Sequence, residues 1–237
     1  MTEHRRLEAV QLFGVGSYAP SEAARLLGTS PRTISRWLGG YNYSQAGTKH
    51  HVPPLWTPQW SVMEGHLEIG FRDLIELRFV KAFLDAGVGL LAIRNCLDYA
   101  RQCVADDHPF STRRFRTDGK TIFLESLDRS ASSSPQVLDL KRKQFAFKQV
   151  IDKTFKDLDI EDDAVARWRP YKGKSTIVID PTRSFGQPIA TRSGVPTIAL
   201  AEAVEAEGSA EKVARLYDVS LSEVRDAVRF EGALNAA

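Results

Sequence analysis

The chain has 237 residues, of which 43% are hydrophobic and 26% charged, and its formal net charge is +2. These are the proportions of a soluble protein long enough to bury a sizeable core and to hold two domains. No run reaches the apolar length that spans a bilayer, and Met1-Thr2-Glu3-His4-Arg5-Arg6 lacks the apolar stretch of a secretory leader. A cytoplasmic protein without membrane contact is therefore expected.

The near-neutral sum hides a segregation of charge. Residues 1–60 hold six Lys and Arg against three Asp and Glu, and residues 111–150 hold nine against four. Residues 61–110 hold five against eight, 151–190 seven against seven, and 191–237 five against eight. A nucleic-acid reader of low net charge must collect its cations on one face, so their placement matters more than their sum.

The run Ser21 to Leu38 has helix-turn-helix spacing. Ala23, Ala24, Leu26 and Leu27 recur at helical intervals, Gly28 permits a sharp exit, and Ser30 followed by Pro31 is an N-cap with proline at the first helical position. On the second helix Ile34, Trp37 and Leu38 share one face. That arrangement leaves Arg32, Thr33, Ser35 and Arg36 on the other, where base edges and phosphates would lie. A helical hairpin serving packing alone is the competing reading, but it needs no arginines on the free face.

Gly39-Gly40 closes that helix, and residues 41–56 read as a loop or short hairpin that would lie as a wing against the DNA backbone, with Lys49 and His50 near phosphates. The adjacent histidines His50 and His51 have no Cys or acidic pair nearby in sequence, so no metal is expected. Residues 72–104 form the strongest helical region, a helix pair interrupted at Gly87. Cys96 and Cys103 share a face about 10 Å apart, too far to pair with each other, and read as buried thiols. Phe110 to Leu124, with Asp118-Gly119 as its turn, reads as a β-hairpin.

Ser130 to Pro135 is the clearest break in composition, and the acidic run Asp157 to Asp163 reads as a solvated linker. Between them Val150, Ile151, Phe155 and Leu158 suggest a helix. Thr176 to Ile179 is a strand, and the Phe185 to Thr197 segment carries turn chemistry around a small strand pair. Three helices follow, at 197–207, 209–217 and 220–231, capped by Thr197, Ser209 and Ser220.

The C-terminal run Ala214 to Val224 aligns without gaps on Ala24 to Ile34 at a constant offset of 190 residues, and the Ala, Arg, Leu, Ser and β-branched positions that shape the turn match. The outward residues differ: Ser222, Glu223 and Asp226 stand where the first copy has Arg32, Thr33 and Arg36. Carboxylates repel phosphate, so the second copy suits dimerisation or protein contact better than DNA.

Residues 17 to about 105, through Arg32-Thr33-Ile34-Ser35-Arg36-Trp37 and the Asp73 to Leu77 and Gly87 to Leu90 stretches, resemble a MerR-type winged-helix domain. Pro53-Pro54-Leu55-Trp56 departs from the arginine and tyrosine usual in that wing. The long dimerisation helix of MerR regulators is absent after residue 105, which points to a different dimer interface. Residues 176–232, through Ile177-Val178-Ile179-Asp180-Pro181, Phe185 to Ile189 and Gly194 to Thr197, resemble a small bacterial antitoxin domain. The whole, including Arg167-Trp168-Arg169-Pro170, is similar to the larger VapB-type antitoxins.

The resemblance implies an antitoxin that represses its own operon as a homodimer on operator double-stranded DNA and binds a PIN-like ribonuclease toxin through the middle segment or the acidic C-terminal module. The expected domains are 1–126, a MerR-like DNA-binding domain, 127–175, a middle segment or linker, and 176–237, the antitoxin-type module. The expected fold is mainly α, of α+β class: a winged helix-turn-helix with a helix pair, a small β-hairpin, and a C-terminal strand pair with a three-helix module. The alternative is a MerR-like ligand-responsive regulator without a toxin, its pocket lined by Trp56, Trp60 and Phe71. No phosphate loop, His-Glu-x-x-His or Ser-His-Asp pattern suggests an enzyme, and no cofactor is expected.

Overall fold

The computed structural model describes residues 14–60, 66–130 and 147–236. The breaks in composition from Ala131 to Pro135 and the basic run Lys141 to Lys143 lie outside them. The fold is mixed α+β. Helices α1 (Pro20–Leu27) and α2 (Pro31–Gly39) are followed by the antiparallel hairpin β1 (Tyr41–Gln45) and β2 (Thr48–Val52). Helices α3 (Phe71–Asp85), α4 (Leu90–Val104) and α5 (Arg113–Ser130) come next, then α6 over residues 147–155. Strands β3 (Leu158–Glu161), β4 (Ala164–Trp168), β5 (Ile177–Ile179) and β6 (Pro188–Ala190) form one antiparallel sheet in chain order. Helices α7 (Thr197–Glu207), α8 (Ala210–Leu216) and α9 (Leu221–Asn235) complete the chain.

The expected helix pair is α3 and α4, and the Gly87 interruption falls between them. The expected hairpin over residues 110–124 is instead a 3₁₀ turn, Pro109–Ser111, running into α5. Alternation of Phe115 with charged residues imitates a strand, but Phe115, Gly119, Ile122, Phe123 and Ser126 are buried, and they fall at helical intervals. Gly119 is no turn residue. It lets α6 approach, since a Cβ there would stand 2.9 Å from Ile151 Cδ1 and 3.2 Å from the Phe115 ring.

Aromatic packing draws α6 inward. The Phe147 ring lies between Phe83 (4.1 Å, 3° between planes) and Phe123 (3.8 Å, 10°), and Phe155 meets Phe79 at 4.9 Å. The acidic run from Asp157 is therefore no linker but strand β3 and its turn, with Leu158 buried in the same core. One buried cluster runs from Tyr18 to Ile179, and a second, smaller one unites Ala190, Leu200, Val213, Val219, Val224 and Ala227. Trp56 and Phe71 belong to the first cluster, and the Trp60 indole donates to the Gly16 carbonyl at 3.0 Å. All three expected pocket aromatics are thus occupied with packing or a backbone bond. Thr197 is not the cap of α7: Pro196 holds that position, and the Thr197 hydroxyl donates to the Pro188 carbonyl and to Glu231.

Beneath the helix-turn-helix, the buried carboxylate of Asp73 accepts hydrogen bonds from the Trp56 indole (2.7 Å) and the backbone N–H groups of Gln59 and Gly70 (both 2.9 Å), and pairs with His108 Nε2 (2.8 Å). The bond from Gly70 caps α3 itself, and the other three join the start of α3 to segments distant in sequence. One turn on, Glu76 is fully buried. Its Oε1 accepts from Ser111 N at 2.8 Å, and its Oε2 has no hydrogen-bond partner among the described residues. Burial pushes its pKa up to about 7.

Between pH of about 4.5 and 7 the unfolded chain therefore loses this proton while the folded chain keeps it, and stability falls as pH rises through that window. Glu76→Gln keeps the acceptor for Ser111 and removes the ionisation. Thermal melts at pH 5 and pH 8 should show the variant gaining on the natural protein at the higher pH, by on the order of 3 kcal/mol. An unchanged difference between the two pH values is the contrary result.

Candidate nucleic-acid interface

Two short helices meet across the turn Gly28 to Ser30. Gly28 adopts the left-handed φ of 62° that ends α1. Ser30 Oγ then accepts from Thr33 N at 3.1 Å and lies 2.8 Å from Thr33 Oγ1. The hydroxyls of Ser30 and Thr33, two of the expected contact residues, are therefore joined to each other at the start of α2. Ile34, Trp37 and Leu38 are buried as the spacing requires, which leaves Arg32, Ser35 and Arg36 exposed.

The hairpin stands beside this face. Its two-residue turn, Ala46-Gly47, has φ of 49° and 81°, the positive values that match the twist of paired strands. The Arg36 guanidinium lies 3.8 Å from the centroid of the Tyr41 ring, so α2 and β1 are joined by a cation–π contact. On the hairpin, His50 stacks on Tyr43 at 5.0 Å and His51 Nδ1 pairs with Asn42 Oδ1 at 2.8 Å. Lys49 is exposed on β2.

The base of the hairpin is fixed. Leu55 N donates to the Trp37 carbonyl (2.7 Å), and Arg94 donates to the carbonyls of Pro54 (2.7 Å) and Pro53 (2.8 Å). Pro53-Pro54 is thus the anchor that joins the hairpin to α4 rather than its contacting tip. Arg32, Ser35, Arg36, Lys49 and His50 fall on two adjacent elements. Tyr41, Asn42 and Tyr43 were not singled out from the sequence. Their signal was the alternation of aromatic and polar residues around Ala46-Gly47, which is short and has no buried face to enforce it.

The second copy folds as the 190-residue offset predicts. Helix α8 begins 190 residues after α1, and α9 begins 190 after α2. Asp218 takes the left-handed place of Gly28 with φ of 52°. Thr29 N to Ala24 O and Val219 N to Ala214 O are both 3.0 Å, and Ser220 caps α9 through Glu223 N at 3.3 Å.

Its free face differs from expectation. Glu223 and Asp226, expected to point outward, are only 4% and 6% exposed. Glu223 accepts from Arg192 N at 3.1 Å, and Asp226 accepts from Thr176 Oγ1 at 2.9 Å and from Lys174 Nζ at 3.1 Å. Helix α9 therefore turns the positions equivalent to Thr33 and Arg36 against the β5–β6 end of the sheet, while Ser222 and Arg225, equivalent to Arg32 and Ser35, stay exposed. It also holds the first copy, because Glu231 pairs with Arg25 of α1 at 2.8 Å.

No family model matches the chain. It is similar to "Putative antitoxin VapB45" of Mycobacterium tuberculosis strain H37Rv. The two are 28% identical over 225 residues, 91% of this chain and 94% of that protein. The fold is similar to the crystal structure of Rv2018 from Mycobacterium tuberculosis, with a TM-score of 0.71 and 25% identity over 91% of this chain and 99% of that one. Among the described residues no group of three His, Cys, Asp or Glu is placed to hold a metal ion, and no helix is long and apolar enough to cross a membrane. Cys96 is buried and Cys103 partly so, both as free thiols.

Equal capping roles predict equal costs. Ser30→Ala and Ser220→Ala should each destabilise the protein by about 1 kcal/mol in urea unfolding, and Ser220→Ala should leave the surface around Arg36 unchanged by NMR or hydrogen exchange.

Proposed function

We propose that the chain is the antitoxin of a type II toxin-antitoxin module, which binds operator DNA, represses its own operon and neutralises a PIN-like ribonuclease. The observation that carries the DNA reading is the outward face of α2, with Arg32, Ser35 and Arg36 exposed beside the hairpin. In this reading α2 enters the major groove, where Arg32 and Ser35 meet base edges. Ser30 and Thr33 set the first turn of α2, whose free N–H groups favour a phosphate. The hairpin acts as a MerR-like wing, with Lys49 and His50 on the backbone. Arg36, steadied by Tyr41, sits at the junction of both. The second helix-turn-helix has the Glu223 and Asp226 side of the corresponding face covered and serves as a structural module. The antitoxin assignment is supported by similarity to the mycobacterial protein over nearly the whole of both chains. A two-headed homodimer suits a palindromic operator.

The test is fluorescence anisotropy with duplex from immediately upstream of the gene, over a range of salt concentrations. Arg36→Ala should weaken specific binding by about 1 to 3 kcal/mol if it reads a base, and Lys49→Ala should reduce the salt slope by about 1. Binding unaffected by either substitution overturns the interface. Separately, a ribonuclease encoded beside the gene should co-purify and lose activity in the complex; a fully active, unbound ribonuclease overturns the antitoxin reading and leaves the DNA interface standing.

A further inference from the structure

A cleft of about 430 Å³ opens between α5, α6 and the strand hairpin that follows. Phe155 and Leu158 lie in its floor, and Arg116, Lys156 and Arg169 stand on its rim with Asp152. Arg116 and Lys156 are exposed and have no ion pair among the described residues. Arg169 is held by Asp159 at 2.6 Å, yet its Nε is buried without a hydrogen-bond partner among the described residues. None of these residues belongs to α2 or its hairpin.

Elsewhere on the molecule, α7 turns Leu200 into the second core and presents Ile198, Glu202 and Glu205 to solvent. Their spacing of four and then three residues sets them in one stripe. Ile198 is 37% exposed, and neither glutamate has an ion pair among the described residues. One copy of the chain thus carries a cationic cleft with an apolar floor and, separately, an acidic stripe with an apolar end.

We propose that the chain forms a two-fold dimer in which the Arg116–Lys156–Arg169 cleft of each copy receives the Ile198–Glu202–Glu205 stripe of the other. The charges are complementary, and Arg116, Lys156, Glu202 and Glu205 have no ion pair among the described residues. The chain's own residues 131–146 carry Lys141, Arg142 and Lys143 against Asp139, the wrong sign for this cleft. A two-fold arrangement makes the contact twice and leaves neither surface open for further growth. The interface would supply the pairing that the proposed DNA reading uses, but its test is independent of DNA.

Sedimentation velocity on the full chain decides it, at 0.1 M and 1 M NaCl, where the Debye length falls from about 10 Å to about 3 Å. The natural protein should be dimeric at low salt and shift toward monomer at high salt. Arg116→Glu with Lys156→Glu should give monomer at low salt that still unfolds cooperatively with native circular dichroism, since both positions are on the surface. Glu202→Lys with Glu205→Lys should do the same, and the four substitutions together should restore the dimer. A natural chain that is monomeric at low salt overturns the proposal, as does a dimer indifferent to both reversals or a fourfold variant that stays monomeric. If the cleft reversal leaves the dimer intact but abolishes ribonuclease or duplex binding, the cleft belongs to that partner and the dimer proposal falls, while the antitoxin or DNA reading stands.

Discussion

The phenylalanine cluster centred on Phe147 is the constraint on which the architecture rests. With its ring held between those of Phe83 and Phe123, α6 cannot leave the helical layer. Strand β3 follows α6 after two residues, so the same stack places the edge of the sheet against α5. A bridge between Thr112 and Ala164 and a 2.8 Å bond from Arg113 N to Asp163 O close that seam. Close aromatic packing of this kind buries large apolar area and depends on close geometry. The sheet in turn receives α9 on its β5–β6 end, and α9 receives α1. The exposed helix-turn-helix is thereby supported from a core that lies far along the chain.

The two helix-turn-helix copies separate local structure from exposure. Their caps, left-handed turn residues and buried Ile34 and Val224 are equivalent, because each is decided within about a dozen residues of chain. What the second helix shows to solvent is decided by its neighbours. On the outward side of α2 the Arg36 guanidinium lies over Tyr41 of the short hairpin, and Arg32, Ser35 and Arg36 are exposed. Around α9, Lys174, Thr176 and the Arg192 backbone converge on Asp226 and Glu223. A buried carboxylate without such donors would be costly, so the sheet and the acidic helix face require one another.

A chain of nearly zero net charge can still carry strong local fields, and here the segregation follows the fold. Cations appear on α2 and its hairpin and again on the rim of the α5–α6 cleft, whereas α7 is acidic. The antitoxin role proposed from similarity needs more than one binding surface, and spatially separate charged faces are a physical means of providing them.

The helix-turn-helix and its duplicate, the α3–α4 pair, the β5–β6 strands and the caps Ser30, Ser209 and Ser220 are legible from the residues alone, because capping, helical periodicity and turn chemistry act over a few residues. The same local signals misled at residues 110–124, where charged residues between aromatics imitated strand alternation and Asp118-Gly119 imitated a turn, and at Asp157 to Asp163, where solvated-looking charges hid a strand. Packing across the fold resolved these, along with the burial of Glu223, Asp226, Trp56 and Phe71. Ile151 against Gly119 and Lys174 against Asp226 stand far away in sequence, and even the near strand β4 fixes β3 only because Leu158 is buried in the shared core; burial is settled by packing between such segments rather than by local preference.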